Sequence, residues 1–118
     1  MEAISKANFQ RFGPRKVNQV CAEIRGKSVA HAGQVLPQLS RTAVKLVEKT
    51  VHSAAANLAV KLGKPVDLGQ VYVKEAWVGH GPMQHMKRVR PGPQGRAMMY
   101  KRKVCHLSVV VTDSKVKG

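Results

Sequence analysis

Residues 76–112 contain Lys87, Arg88, Arg90, Arg96, Lys101, Arg102 and Lys103 and not one carboxylate. Cations in such a run, with no acid beside them, suit phosphate oxygens. Arginine offers planar bidentate donors along with its charge, and lysine a mobile point charge. At the centre stands Arg90-Pro91-Gly92-Pro93-Gln94-Gly95-Arg96, a turn with a cation at each end. Its glycines let the backbone come close to a partner, and its prolines stiffen the loop at little entropic cost. Arg15 and Lys16 make a second candidate phosphate site. They sit just inside a helix that opens at Gly13-Pro14, where backbone N–H groups and the helix dipole favour anions. The chemistry on offer is the binding of a polyanion.

Other chemistries lack their parts. The five histidines and two cysteines include no Cys-x-x-Cys and no His-x-x-x-His pair, and a structural zinc site needs four convergent ligands. His80 and His85 flank a turn, while Cys105 and His106 are neighbours on a strand and so point to opposite faces. No metal and no cofactor is expected. Cys21 and Cys105 read as small core residues of a protein kept in a reducing compartment. Glu23, Glu48 and Glu75 are isolated, so no carboxylate pair is in prospect. Ser108, His106 and Asp113 make a triad only on paper, without a nucleophile elbow or a phosphate-binding glycine loop. The chain is not expected to be an enzyme. Met83, Met86, Met98 and Met99 are expected to pair across the ribbon as its apolar cement.

The totals agree with a polyanion partner. Formal net charge is +15, from 21 Lys and Arg against 6 acids. Residues 76–118 hold nine cations and one acid, whereas the longer stretch 1–75 holds twelve cations and five acids. Charge of this size opposes a compact monomer by self-repulsion until a partner neutralises it. The length of 118 residues fits one domain, and 43% apolar content with few aromatics implies a core of Val, Leu, Ile and Ala. No stretch approaches the ~18 apolar residues of a membrane span. The first residues show neither a signal core nor an amphipathic presequence.

The elements that must hold these cations follow from periodicity. Residues 1–12 read as a mixed basic arm with two exposed phenylalanines. Gly13-Pro14 then opens a helix with Val17, Val20, Cys21 and Ile24 on one stripe, closed by Gly26. Ser28 caps a short second helix with Val29, Ala32, Val35 and Leu36, which Pro37 stops. Ser40 is expected to cap a third helix, with Ala43, Val44, Val47, Val51, Ala54, Ala55, Leu58 and Leu62 on its stripe and Gly63 at its end. The period then changes to two. Val71, Val73 and Glu75 fall on one side of a strand and Tyr72, Lys74 and Ala76 on the other. Gly79 and Gly81-Pro82 suggest a bulge or bend where a ribbon leaves the body. A returning strand puts Cys105, Leu107, Val109 and Val111 toward the core, before a frayed tail from Ser114. These elements make an α+β fold: three helices on a small antiparallel sheet, one domain over 1–118, with a protruding β-hairpin over about 78–104. Residues 77–90 alone, if extended, span ~45 Å. A two-stranded ribbon is marginal by itself in water, so this one needs a surface to lie on.

Several short motifs, in order and at matching spacing, resemble the family of ribosomal protein twenty-two of the large subunit. They are Pro14-Arg15-Lys16-Val17 with Ile24-Arg25-Gly26-Lys27, and Ser53-Ala54-Ala55-Ala56-Asn57. Gly81-Pro82 with Lys87-Arg88 follows, then Gly95-Arg96-Ala97, Tyr100-Lys101-Arg102 and Cys105-His106-Leu107-Ser108-Val109-Val110-Val111. The resemblance covers residues 9–113 and implies a structural constituent of the large ribosomal subunit, active in early assembly. It implies rRNA contacts through Arg11, Arg15, Lys16, Arg25 and Lys27 from the body, and through Lys87, Arg88, Arg90, Arg96, Lys101, Arg102 and Lys103 from the hairpin. The tip, Arg90, Pro91, Gly92, Pro93, Gln94, Gly95 and Arg96, would line the nascent-peptide exit tunnel. Implied partners are large-subunit ribosomal RNA, neighbouring large-subunit ribosomal proteins and, transiently, the nascent peptide. The protein would be a monomer within the ribosome, away from membranes, in a bacterial cytoplasm or an organelle matrix or stroma.

Two other functions fit part of the pattern. An architectural DNA-binding protein also lays a basic ribbon in a groove, with Pro91 or Pro93 as its wedge, but would not need cations spread over the body. A secreted membrane-active protein would need a signal segment and a cationic amphipathic helix with bulky apolar residues.

Overall fold

The structure is a computed structural model that describes residues 1–82 and 87–113. The expectations for Met83, His85, Met86 and the tail from Ser114 lie outside the described residues. Strands β1 (Glu2–Gln10), β2 (Tyr72–His80) and β5 (Cys105–Thr112) form an antiparallel sheet in the order β1-β5-β2. Helices α1 (Pro14–Ala22), α2 (Val29–Val35) and α3 (Val44–Leu62) cover one face of it. Strands β3 (Lys87–Pro91) and β4 (Ala97–Lys101) form a separate two-stranded ribbon. The molecule measures 63 × 26 × 22 Å, with a radius of gyration of 17.3 Å. A compact chain of this length would have about 13–14 Å, and the projecting ribbon accounts for the excess.

The core forms where helical and strand periods meet. On β5, Cys105, Leu107, Val109 and Val111 all face the helices and are all 0% exposed. Val17, Val20, Cys21 and Ile24 meet them from α1 and the turn after it, and Val47, Val51, Ala54 and Leu58 from α3. Each Val or Leu so buried is worth roughly 1.5–3 kcal/mol of transfer free energy. Ser28 caps α2 through its side chain, accepting from the backbone of His31 at 3.1 Å. Pro37 lies in the 3-10 turn Leu36–Gln38 that ends α2. Gly63 closes α3 at φ 69°, the left-handed geometry that glycine enters most cheaply.

Four local expectations are corrected. Residues 1–12 are no arm, because β1 pairs with the central strand from Glu2 opposite Thr112 to Gln10 opposite Cys105. Its inward side chains, Ala3, Ser5 and Ala7, are too small to read as an apolar strand face, yet they let α3 lie close. Asn57 and Lys61 of α3 then donate to the carbonyls of Ile4 at 3.0 Å and Glu2 at 2.7 Å. Ser40 does not cap α3, since the turn 41–43 intervenes and Ala43 stands at the cap position with no side-chain bond. Burial of Ala43 and Val44 fixes that helix start in place of a cap. The β2 facing changes partway: a bulge between Val73 and Glu75 brings Ala76, not Glu75, to the core beside Val71 and Val73. The carboxylate is thereby spared burial. Finally, Gly79 does not interrupt β2, which pairs on through Gly79 with His106 and His80 with Cys105.

Candidate nucleic-acid interface

The ribbon begins from glycines that cannot be replaced cheaply. Gly81 donates its N–H to the carbonyl of Val104 at 2.8 Å, and a Cβ on Gly81 would lie 2.7 Å from Cγ1 of Val104. At the tip, Gly92 donates to the Arg96 carbonyl at 2.5 Å and closes the loop around the short turn Pro93–Gly95. A Cβ on Gly92 would meet Met98 Cγ at 2.7 Å and the Arg96 oxygen at 2.8 Å. Gln94 and Gly95 both hold positive φ, 56° and 72°.

The arms between are cationic and hold little apolar surface. Lys87 stands opposite Lys101, a like-charge pair that works against the ribbon in water. Arg88 faces Tyr100, and Arg90 faces Met98. The guanidinium carbons of Arg90 and Arg102 lie 5.9 and 5.4 Å from the centre of the Tyr100 ring. Such contacts are worth about 0.5–1 kcal/mol each where exposed, and they hold both arginines splayed along one face. Val89 opposite Met99 is an apolar cross-pair, and both are largely exposed. Of the expected methionine cement, the described residues show Met99 opposite Val89 and Met98 against Gly92.

Where ribbon meets body, a cleft of ≈ 830 Å³ brings together cations far apart in sequence. Arg11 lines it from the bend after β1, Arg15 and Lys16 from the start of α1, and Arg88, Lys101, Arg102 and Lys103 from the ribbon root. Phe12, Gly13, Thr42 and Tyr100 complete the wall, and no acid contributes to it. None of these seven cations is ion-paired among the described residues; the ion pairs there are Met1 with Asp113 and Lys74 with Glu2. The sequence alone identified all seven but not their meeting, and it missed Phe12, Thr42 and Tyr100 as wall residues. The run Lys101-Arg102-Lys103 directly after Tyr100 was the available signal.

The remaining candidate residues lie elsewhere. Arg90 and Arg96 flank the tip turn. Lys27 is exposed beside β2, where its carbonyl accepts from the N–H of Val73 at 2.9 Å. Arg25 is committed to the fold, donating to the Ala76 carbonyl at 2.7 Å and to Asn18 Oδ1 at 2.5 Å. Burial pushes the Cys21 thiol up to about 11, against the nearby charge of Arg25, and raises that of Cys105. Neither is poised as a nucleophile. His106 accepts at Nδ1 from the backbone of Phe9 at 3.0 Å. Among the described residues no three His, Cys, Asp or Glu side chains converge, and no helix is long and apolar enough to cross a membrane.

The chain is thus an α+β body with a projecting cationic ribbon and an acid-free, cation-lined cleft between the two. The sequence matches the family model for ribosomal protein L22p/L17e over residues 5–112, and the chain belongs to that family. It is 46% identical over 114 residues to the large ribosomal subunit protein uL22 of Endomicrobium trichonymphae, covering 97% of this chain and 94% of that protein. It is 40% identical to the protein of the same name from Myxococcus xanthus, covering 98% and 99%. The corresponding protein of Solibacter usitatus is 37% identical, also over 98% and 99%. The chain is therefore a structural constituent of the large ribosomal subunit, of bacterial type and not an enzyme, and its place is the ribosome of the bacterial cytoplasm.

Proposed function

We propose that the chain acts as one domain, 1–118, that binds large-subunit rRNA through its cleft and ribbon and supports early assembly of the subunit. The observation that carries this reading is the cleft itself, where Arg11, Arg15, Lys16, Arg88, Lys101, Arg102 and Lys103 gather with no acid in the wall and, among the described residues, no ion pair. Held together in the free protein, these charges repel one another, and phosphates from RNA convert that repulsion into binding. Arg90 and Arg96 extend the same surface to the tip, and Lys27 adds to it from the body. Arg25 serves the fold first and RNA second.

In this reading the hairpin, about 78–104, runs along an RNA wall, and the tip 90–96 lines the nascent-peptide exit tunnel. The stiff, proline- and glycine-rich tip suits a narrow space in which a passing peptide is touched only transiently. The protein is a monomer there, among neighbouring large-subunit proteins. The test is sucrose-gradient fractionation of a native lysate with a high-salt wash. The chain is expected to remain with large subunits and their assembly precursors, and release into the light fractions at moderate salt overturns the reading.

A further inference from the structure

The sheet face turned away from the helices presents aromatic rings. Trp77 on β2 is 43% exposed and stands opposite Ser108 of β5. His106, two residues back along β5, stands opposite Gly79. Phe9 on β1 packs edge-on against His106, with centroids 4.8 Å apart and planes at 84°. Phe9 is 67% exposed and sits at φ 58°, while its N–H donates to Nδ1 of His106 at 3.0 Å. A non-glycine residue in that region carries a conformational cost, and here the strained residue turns its ring out to solvent.

Gly79, opposite His106 and two residues along β2 from Trp77, leaves a bare stretch of backbone on this face. A Cβ built on Gly79 would meet nothing within 4 Å. Diagonal neighbours on one face of an antiparallel pair are ~7–8 Å apart, which is the relation of Trp77 to His106. With no side chain on Gly79, the space between these two side-chain positions is open to a flat ring lying over the glycine. A helix or strand of another protein would call for a continuous apolar surface, whereas this one is notched. Beyond Phe9 the chain reaches Arg11, on the wall of the cationic cleft, within two residues. Exposed Lys6 flanks the patch across Ser108 from Trp77.

We propose that this notch takes one unstacked base from a single-stranded RNA segment whose phosphates run on past Arg11 into the cleft. Aromatic side chains on an open sheet are a common platform for splayed-out bases, and they tolerate any base because each has a π face. The inference rests on the rRNA reading above and adds that the protein engages bases as well as phosphates.

Trp77 is the chain's sole tryptophan, so its fluorescence reports on the notch alone. The full-length protein is titrated with a single-stranded RNA oligonucleotide, an abasic strand of the same length, and the matching duplex. All three are expected to bind with salt-dependent affinity, and only the base-bearing single strand is expected to quench Trp77. Trp77→Leu, and separately Phe9→Gly, which keeps the positive φ and removes the ring, should each weaken that strand by about fivefold to a hundredfold. Binding of the abasic strand should be unchanged in both. Equal quenching by the abasic strand or the duplex, or unaltered affinity in both variants, overturns the proposal while leaving the cleft reading intact. A cross-link from position 77 to a protein in assembled subunits overturns it in the same way. Failure of every strand to bind overturns the cleft reading with it.

Discussion

Arg25 donates its Nε–H to the carbonyl of Ala76 at 2.7 Å and so joins the turn after α1 to the free edge of β2. The same edge is closed by backbone bonds from Gly26 to the Val73 carbonyl, from Val29 to the Val71 carbonyl, and from Val73 to the Lys27 carbonyl. Asn57 and Lys61 serve the opposite edge, on β1. An unpaired strand edge invites pairing with other chains, and these bonds cover part of each edge of the sheet.

The substitution Arg25→Met should therefore cost about 1–2 kcal/mol of stability, as loss of a charge-assisted bond to a backbone carbonyl does. The salt dependence of RNA binding should change by no more than about one charge. Urea denaturation and a salt titration of binding check the two halves.

The facing of β5 gives a contrast between adjacent residues. Val109 is 0% exposed against the helices, while Val110 lies on the outer face opposite Ile4 and Glu75. Val109→Asp buries an unpaired charge and should cost several kcal/mol, whereas Val110→Asp should cost less than about 1.5 kcal/mol. Thermal melts of the two variants that coincide would contradict the register.

Much of this was legible because helices and the central strand keep one period over long runs. Val17 to Ile24, Val44 to Leu58 and Cys105 to Val111 each place their apolar residues on one face, and burial follows the pattern. What was not legible depended on local breaks or on distance. The bulge at Val73 and Glu75 changes the phase of β2, so an alternation counted from Val71 assigns Glu75 wrongly. Strand β1 hides behind small inward residues, and the α3 start depends on packing of Ala43 and Val44 that no cap announces. The tip and its cations were plain from composition. The cleft was not, since it joins residues 11–16 to residues 88–103 only once the sheet has formed.

Cys21 links stability to alkaline pH. Burial raises its thiol from 9.0 to about 11 in the folded protein. The folded state thus holds the proton after the unfolded state has lost it. The associated stability is fully present below pH 9 and is lost as pH rises toward 11, with a slope of up to about 1.4 kcal/mol per pH unit. Cys21→Ala should lack that part of the loss while sharing the rest of the alkaline profile, so stability measured from pH 8 to 11 in both proteins isolates it.

Along β3 and β4 every residue is exposed except the half-buried Tyr100. Deleting residues 84–100 and closing the arms with a short glycine-containing turn should leave a cooperative melt with Tm within about 4 °C of the parent. The shortened protein should still enter large subunits, with altered passage of nascent chains as the phenotype. Loss of the cooperative melt would make the ribbon part of the core.

The central claim is that the cations of cleft and ribbon lie on RNA phosphates, and the salt dependence of binding measures this most directly. For the full-length protein on large-subunit rRNA, log Kd against log salt should have a slope corresponding to about seven to ten phosphates, on the order of 5 to 9 in magnitude. In the triple variant Arg15→Gln, Lys16→Gln and Arg102→Gln the slope should fall by about 2–3, with the melt unchanged. A full-length slope below about 2, or a triple variant that superimposes on the parent, would contradict the claim.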